Sequence, residues 1–271
     1  MHLDSMGGEV GNRITVSDLH GFVCLPTQVC NLDEARESVS AEYLRYALNE
    51  LEREAPEALI NAVSHGKRAL HSRMDLLIQS LGMSPKHVPF PKKAEFCQRC
   101  GILAPRLLTK LNVLRNRVEH DYHRPDRGIV DDYVDVIALF IYATDRIVRS
   151  FVTEVDFINE RHYPWDDCPG FEPWGWDMGA SAKMLLGSGR IAVEARVLRT
   201  PMESIPADVD CESVSTFFKE HTRAVSFEVT LTDEDEFFEW ASLFMDMYAG
   251  MTLDTEHRAL STEQPSHPAD L

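Results

Sequence analysis

Apolar residues recur three or four positions apart in three long stretches, the spacing of one buried helix face. These stretches run over residues 59–81, 96–118 and 130–155, and a shorter pattern at 41–54 predicts a fourth helix. Four amphipathic helices bury their apolar faces most simply by packing together. We therefore predict an antiparallel helical bundle over residues 39–160, with the helical pattern itself ending near residue 158.

Capping and helix-breaking residues divide this pattern. Ser38 or Ser40 is placed to cap the first helix, because a serine oxygen accepts hydrogen bonds from the free amides at a helix start. Gly82 is placed to end the second helix, and Pro105 predicts a kink or a break inside the next. Residues 1–38 contain glycine and only short apolar pieces, so we predict an irregular N-terminal arm, with a small hairpin as the alternative.

Beyond the bundle the apolar period becomes shorter. Residues 161–178, rich in Pro and Trp, form a predicted linker, and the Gly-Ser-Gly sequence at 187–189 predicts a β-hairpin. Residues 224–231 alternate as a strand does. Thr232 then opens a helix with three acids in its first turn, where the positive end of the helix dipole favours them. The predicted fold class is α+β, a mostly α bundle followed by a small α+β domain.

This small acidic domain, predicted over residues 179–253, carries no recognisable catalytic group. We interpret it as a surface that regulates the bundle or recruits a partner, and the alternative is an extension that only stabilises the bundle. The remaining residues, 254–271, are rich in Glu, Ser, Pro and His and contain no aromatic residue, so we predict a disordered tail.

The net charge of −17 argues against a general nucleic-acid binder, because phosphate contacts need Lys and Arg. The charge is unevenly distributed, however: residues 86–127, the basic island, contain ten Lys or Arg and four Asp or Glu. The island is either an RNA-contacting surface or a solvated helix face. The cations expected to contact RNA are Lys92, Lys93, Arg99, Arg106, Lys110, Arg117 and Arg124.

Six cysteines in 271 residues do not indicate a disulfide scaffold. Cys97 and Cys100 form a lone Cys-x-x-Cys, and five residues lie between Cys24 and Cys30. A zinc site built from these two pairs is one alternative, but structural zinc sites usually have two tight pairs. We therefore expect reduced cysteines, with no metal and no cofactor.

No apolar run approaches the length of a membrane span, and the N-terminal residues lack the apolar core of a signal peptide. Hydrophobic residues make up 44% of the chain and charged residues 26%, as in an ordinary globular protein. We expect a cytoplasmic protein with no membrane partner.

The basic island contains one chemistry-bearing motif. Arg115, His120 and Tyr122 occur in the order Arg-x-x-x-x-His-x-Tyr, with Asn116 directly after the arginine. A guanidinium stabilises a phosphate that gains negative charge, and an imidazole transfers protons near neutral pH, so such a pair can cut RNA without a metal. Glu119, four residues after Arg115, can instead pair with it, which would make the cluster merely structural.

The helical pattern and this motif together resemble the HEPN superfamily, helical-bundle domains found in RNA-cutting toxins and antiphage proteins. The resemblance covers roughly residues 40–158 and implies a homodimer in which two motifs face one cleft. It implies that Arg115 holds the scissile phosphate and that His120 acts as general base or acid while the ribose 2′-hydroxyl attacks it. The products would be a 2′,3′-cyclic phosphate and a free 5′-hydroxyl.

The supporting residues also match the family. Asn116 fits the polar residue that often follows the arginine, and Tyr122 matches a tyrosine that lines the cleft in one HEPN toxin group and receives nucleotides from a partner antitoxin. Arg115 and His120 are about 140° apart around an ideal helix, so one straight helix does not aim both at one atom. A two-fold dimer eases this constraint, because two helices contribute jointly.

The expected function is therefore that of a metal-independent endoribonuclease acting in toxin–antitoxin or antiphage defence. Its expected partners are RNA, a second copy of the chain and an antitoxin or other defence protein. The alternative is a HEPN-like module that binds a protein or a nucleotide without cutting RNA.

Overall fold

Five α-helices and a five-stranded antiparallel sheet form the described part of the chain. A computed structural model describes residues 13–19, 22–32, 34–55, 57–102, 113, 126–159, 179–198, 220 and 222–261. The helices are α1 (Glu34–Leu51), α2 (Ala58–Ser80), α3 (Phe90–Arg99), α4 (Arg127–Arg149) and α5 (Glu234–Ser261). The strands are β1 (Phe22–Cys30), β2 (Phe151–Asn159), β3 (Ala180–Leu185), β4 (Arg190–Leu198) and β5 (Thr222–Thr230).

Helices α1, α2 and α4 pack against one another, and α3 packs on α2. The predicted apolar face of α2 is buried, with Leu70 and Met74 fully enclosed. Gly66 lets α2 approach α4 closely, because a Cβ atom at this position would lie 3.2 Å from Cδ1 of Ile137. The mixed α+β class is thus confirmed.

The five strands follow one another across the sheet in chain order, and every neighbouring pair is antiparallel. Ala182 pairs with Val155 on one side and Val193 on the other, which aligns small and branched side chains on one face. Helix α5 lies over this face, where Trp240 is fully buried and meets the ring of Phe157 edge-on. Helices and sheet share one continuous hydrophobic core.

The predicted continuation of the third helical pattern to residue 155 is wrong. Helix α4 ends at Arg149, and the chain continues directly as β2. Phe151 and Val155 are buried in either conformation, because a separation of four residues fits both a helix face and strand alternation. The β-branched and aromatic residues of 151–159 decide for the strand.

The N-terminal arm also differs from the prediction. Residues 22–30 form the edge strand β1, whose pairing register shifts after Pro26, as expected where proline interrupts an edge strand. Helix α1 begins at Glu34, earlier than expected. Ser40 therefore lies inside the helix rather than at its cap, and its hydroxyl accepts a hydrogen bond from Arg73.

The sheet crosses the predicted domain boundaries, since β1 comes from the arm, β2 from the predicted bundle and β3 to β5 from the predicted acidic domain. The three acids in the first turn of α5 are confirmed. The same helix is described through Ser261, within the stretch predicted as a disordered tail.

Two glycines join the end of α2 to the predicted hairpin. Gly82 ends the helix as predicted, with a φ of +95°, and a Cβ atom there would lie 1.9 Å from the backbone nitrogen of Gly189. The hairpin itself is confirmed, with β3 and β4 joined through residues 186–189. The backbone of the hairpin turn thus packs directly on the backbone of the helix end.

Candidate functional site

The catalytic pair and its supporting residues lie outside the described residues. This holds for Arg115, Asn116, Glu119, His120 and Tyr122, and also for Pro105, Arg106, Lys110, Arg117 and Arg124. Their predicted roles stay predictions. We call residues 103–125, which contain the motif, the motif connection. The structure describes the framework at its two ends.

The motif connection begins where α3 packs on α5. Ile102, the last described residue before it, is buried and donates a hydrogen bond to the carbonyl of Cys97. Gly101 has a φ of +74°, and a Cβ atom there would lie 2.9 Å from Oγ of Ser242. This close approach fixes the point at which the motif connection leaves α3.

The motif connection ends at a capped helix start. The side chain of Asp126 accepts a hydrogen bond from the amide of Ile129 at 3.2 Å, which satisfies a free donor in the first turn of α4. Arg127 donates to the carbonyl of Leu51 at the end of α1. Both ends of the motif connection are therefore anchored to packed helices.

Two of the predicted RNA-binding cations are already paired within the protein. Lys93 is buried and contacts the carboxylate of Asp75 on α2. Arg99 bonds Glu234 at 2.7 Å and Asp235 at 2.9 Å, and its guanidinium carbon lies 3.8 Å from the ring centroid of Phe238. These contacts fasten α3 to α2 and to the acidic first turn of α5.

Lys92 has a different environment from Lys93 and Arg99. Its side chain is exposed, and its contact with Glu95 at 3.0 Å lies three residues away on the same helix. Such surface pairs contribute little and exchange readily with solvent. Among the predicted RNA-binding cations that the structure describes, Lys92 is the most exposed, with 68% of its side chain open to solvent against 32% for Arg99.

The cysteine pairs stay apart from one another and are all free thiols. Cys97 and Cys100 are buried, and burial raises the pKa of the Cys97 thiol to about 12, with a further contribution from Asp75. Cys24 and Cys30 lie half-buried on β1. Within the described ranges no three His, Cys, Asp or Glu side chains come together as a metal site would require.

The sequence analysis missed a buried ionic group at the centre of the helices. Arg73 is fully buried on α2, and its guanidinium donates to Oγ of Ser40 at 3.2 Å and to Oδ1 of Asp145 at 3.0 Å. Arg149 bonds the other oxygen of Asp145 at 2.8 Å. The signal in the sequence is weak, because Arg73 stands directly beside the apolar stripe and resembles an ordinary flanking charge.

A cavity of about 380 Å³ at one end of the sheet was also missed. Asp156, Ser181, Glu194 and Ser226 line it, and they are neighbours in one row across four strands. Burial, and then the nearby Glu154, raises the pKa of the Asp156 carboxyl. These residues are far apart in the chain, so no local motif announces them.

Comparisons of the chain with protein-family models, curated proteins and solved structures gave no match. Functional conclusions therefore depend on the residues themselves. In the part of the chain that the structure describes, no helix combines the length and apolar character needed to cross a membrane.

Proposed function

We propose that this protein is a HEPN-type, metal-independent endoribonuclease that acts in toxin–antitoxin or antiphage defence. The observation that carries the proposal is the order Arg115-Asn116-x-x-x-His120-x-Tyr122 in the motif connection between α3 and α4. Support comes from the framework, because both ends of this connection are fixed to helices that share a core. A catalytic pair needs such fixed surroundings to hold its geometry.

The proposed reaction is attack of a ribose 2′-oxygen on the adjacent phosphorus, with departure of the 5′-oxygen of the next nucleotide. The 2′-hydroxyl loses its proton to a general base, and the leaving oxygen receives one from a general acid. Two copies of His120 in a homodimer supply one group for each transfer. Arg115 stabilises the extra negative charge on the pentacovalent phosphorus.

The proposed RNA surface is narrower than the basic island. Lys93 leaves the set because it is buried against Asp75, and Arg99 leaves it because it bonds two carboxylates and lies on the ring of Phe238. Lys92 stays in it, together with the cations of the motif connection. Neutralising Lys92 should reduce the dependence of RNA affinity on salt by roughly one phosphate contact.

The decisive experiment compares Arg115→Ala and His120→Ala with wild type on a labelled RNA in the presence of EDTA. The wild type should cut and leave a cyclic phosphate, and either substitution should remove the activity. Matched controls are Arg190→Ala and His87→Ala, which change an exposed arginine and an exposed histidine outside the motif. Activity that EDTA abolishes and magnesium restores would contradict the proposal, as would cleavage that both motif variants retain.

The two-fold assembly has a separate test. Light scattering at micromolar concentration should give the mass of a dimer, because one motif does not focus both groups on one phosphate. A strictly monomeric mass would contradict this part of the proposal while leaving the chemistry of Arg115 and His120 open to the cleavage assay.

A second candidate function is a HEPN-like module that binds a protein or a nucleotide without cutting. The net charge of −17 favours this reading, because it suits contacts with a basic partner better than contacts with RNA. If the wild type cuts no RNA but binds a partner, and Arg115→Ala or His120→Ala loses that binding, this second function would be favoured over the first.

A further inference from the structure

Three aromatic rings form a partly exposed cluster where α1 and α2 pack together, and one of them, Tyr43, also packs against the hydrophobic core. Tyr43 stacks on His65 with ring centroids 6.1 Å apart and planes inclined by 25°. Tyr46 lies 5.4 Å from His65 and 6.3 Å from Tyr43. All three side chains are partly exposed. We call Tyr43, Tyr46 and His65 the ring cluster.

Two arginines lie over these rings. The guanidinium carbon of Arg45 is 4.9 Å from the centroid of Tyr46, and that of Arg68 is 5.7 Å from the centroid of Tyr43. Both arginines are exposed, and 62% of the Arg45 side chain is open to solvent. The rings hold the guanidiniums at the surface by cation–π attraction.

These arginines differ from Arg99, whose guanidinium is closer to its ring and bonds two carboxylates. Among the carboxylates of the described residues, Arg45 approaches Glu42, at 3.8 Å, which also accepts a hydrogen bond from the hydroxyl of Tyr46, and none pairs with Arg68. At 3.8 Å the contact with Glu42 is too long for a hydrogen bond, so each guanidinium keeps N–H donors that can bond an anion. Internal ion pairing explains Arg99 but does not explain this arrangement.

The aromatic rings of the ring cluster and the free N–H donors of Arg45 and Arg68 together fit one class of ligand. Unpaired bases stack on aromatic side chains and on arginine planes, while the phosphates between them accept guanidinium hydrogen bonds. A base-paired helix offers its phosphates but not its base faces. An acidic peptide offers carboxylates but no ring to stack.

We propose that the ring cluster, with Arg45 and Arg68, is a binding site for an unpaired nucleotide of single-stranded RNA. The inference rests on the proposed ribonuclease function and adds its substrate class. A base stacks against the exposed ring surface of Tyr43 and Tyr46, and the arginines bond the phosphates on either side. The protein then selects unpaired RNA before cleavage.

The test measures binding by the full chain carrying His120→Ala, so that the RNA stays intact. Fluorescence anisotropy follows a labelled single-stranded oligoribonucleotide, the same strand with abasic positions, and the corresponding duplex. Tyr43→Leu with Tyr46→Leu removes the stacking surface and keeps apolar volume. Arg45→Gln with Arg68→Gln removes the charges and leaves the rings. Tyr142→Leu is the matched control, since this tyrosine is 66% exposed on α4.

The tyrosine variant should weaken binding of the single strand by about tenfold or more, the typical contribution of a stacked base. The arginine variant should also weaken it and reduce its dependence on salt, because two phosphate contacts are lost. The tyrosine variant should bind the abasic strand as the His120→Ala parent does, and Tyr142→Leu should change the affinity for none of the three ligands. Circular dichroism checks that each variant is folded. If the tyrosine variant does not fold, the arginine variant alone tests the binding site. Equal affinity of the parent for single strand, abasic strand and duplex would overturn the inference.

The outcome is separable from that of the proposed function. A wild type that does not cut RNA, but whose single-strand binding depends on the ring cluster, would refute the ribonuclease and retain the binding site. A wild type that cuts RNA, with ring variants that bind normally, would retain the ribonuclease and refute the site.

Discussion

The buried ion pair between Arg73 and Asp145 should respond very differently to changes at its two ends. Arg73 is fully buried, whereas the Asp145 side chain is 30% exposed and has a second partner in Arg149. One nitrogen of the Arg73 guanidinium, Nη1, has no hydrogen-bond partner among the described residues even before any substitution. Removing the aspartate therefore isolates a buried cation, while removing the arginine leaves an aspartate that is still hydrated and paired.

The magnitudes follow from this asymmetry. Asp145→Ala leaves the guanidinium with only the hydroxyl of Ser40, and breaking a buried pair in this way costs about 3–5 kcal/mol. The partial exposure of Asp145 admits water, so we expect a loss near the lower end, about 3 kcal/mol. Arg73→Met keeps most of the aliphatic volume and removes the buried charge, for a loss of about 1 kcal/mol.

Urea unfolding followed by circular dichroism measures both losses, provided that the denaturant slope is unchanged. The double variant Arg73→Met with Asp145→Ala should be more stable than Asp145→Ala alone, because the isolated charge is gone. Arg149→Met, at an exposed position, is the control and should cost less than about 0.5 kcal/mol. A larger loss for Arg73→Met than for Asp145→Ala would refute the reasoning, since it would mean that the guanidinium stabilises the fold through contacts other than its charge pair.

Three further predictions concern the rest of the fold. Burial raises the pKa values of Cys97 and Tyr248 to about 12, so the folded protein holds both protons more tightly than the unfolded chain does. The resulting stabilisation is complete below the ordinary pKa values of these groups and is lost as the pH rises from about 9 towards 12. Urea midpoints should therefore fall over this range, and less steeply in Tyr248→Phe. Deleting residues 179–271 should abolish cooperative thermal unfolding, because β2 loses a neighbouring strand and the sheet loses α5; a sharp melt of the remainder would contradict this. Gly82→Ala should lower the melting temperature by several degrees, because its Cβ would meet Gly189, whereas Gly128→Ala, in the first turn of α4, should have a much smaller effect.

Strong local periodicity made part of the fold predictable from the sequence. Apolar residues recur at helix spacing from Leu59 to Leu77, over more than four turns of α2, and no strand presents such a pattern. The Gly-Ser-Gly turn fixed the position of the hairpin because two glycines in a short loop permit positive φ values. These features need no information from distant residues.

The sequence was less informative where one spacing of apolar residues fits both a helix and a strand, or where a residue distant in the chain determines the contact. Phe151 and Val155 satisfy a helix face and a strand face equally, and pairing with β1 and β3 favours the strand. Lys93 and Arg99 appeared to be free cations, because their carboxylate partners lie 18 and 135 residues away in the chain. The proposed chemistry of Arg115 and His120 comes from the motif alone, and both residues lie outside the described residues.

The acidic C-terminal region is better understood as part of the scaffold of the motif connection than as a separable regulator. Tyr248 of α5 receives a hydrogen bond from the amide of Val152 at 2.6 Å and donates one to the carbonyl of Ser150 at 2.8 Å, which binds α5 to the junction of α4 and β2. At its other end, Glu234 and Asp235 of the same helix bond Arg99, the last residue of α3, two residues before Gly101. Helix α5 thus contacts the helix before the motif connection and the end of the helix after it. A partner that shifts α5 would act on the motif through these two contacts, so regulation and folding stability would be coupled rather than divided between domains.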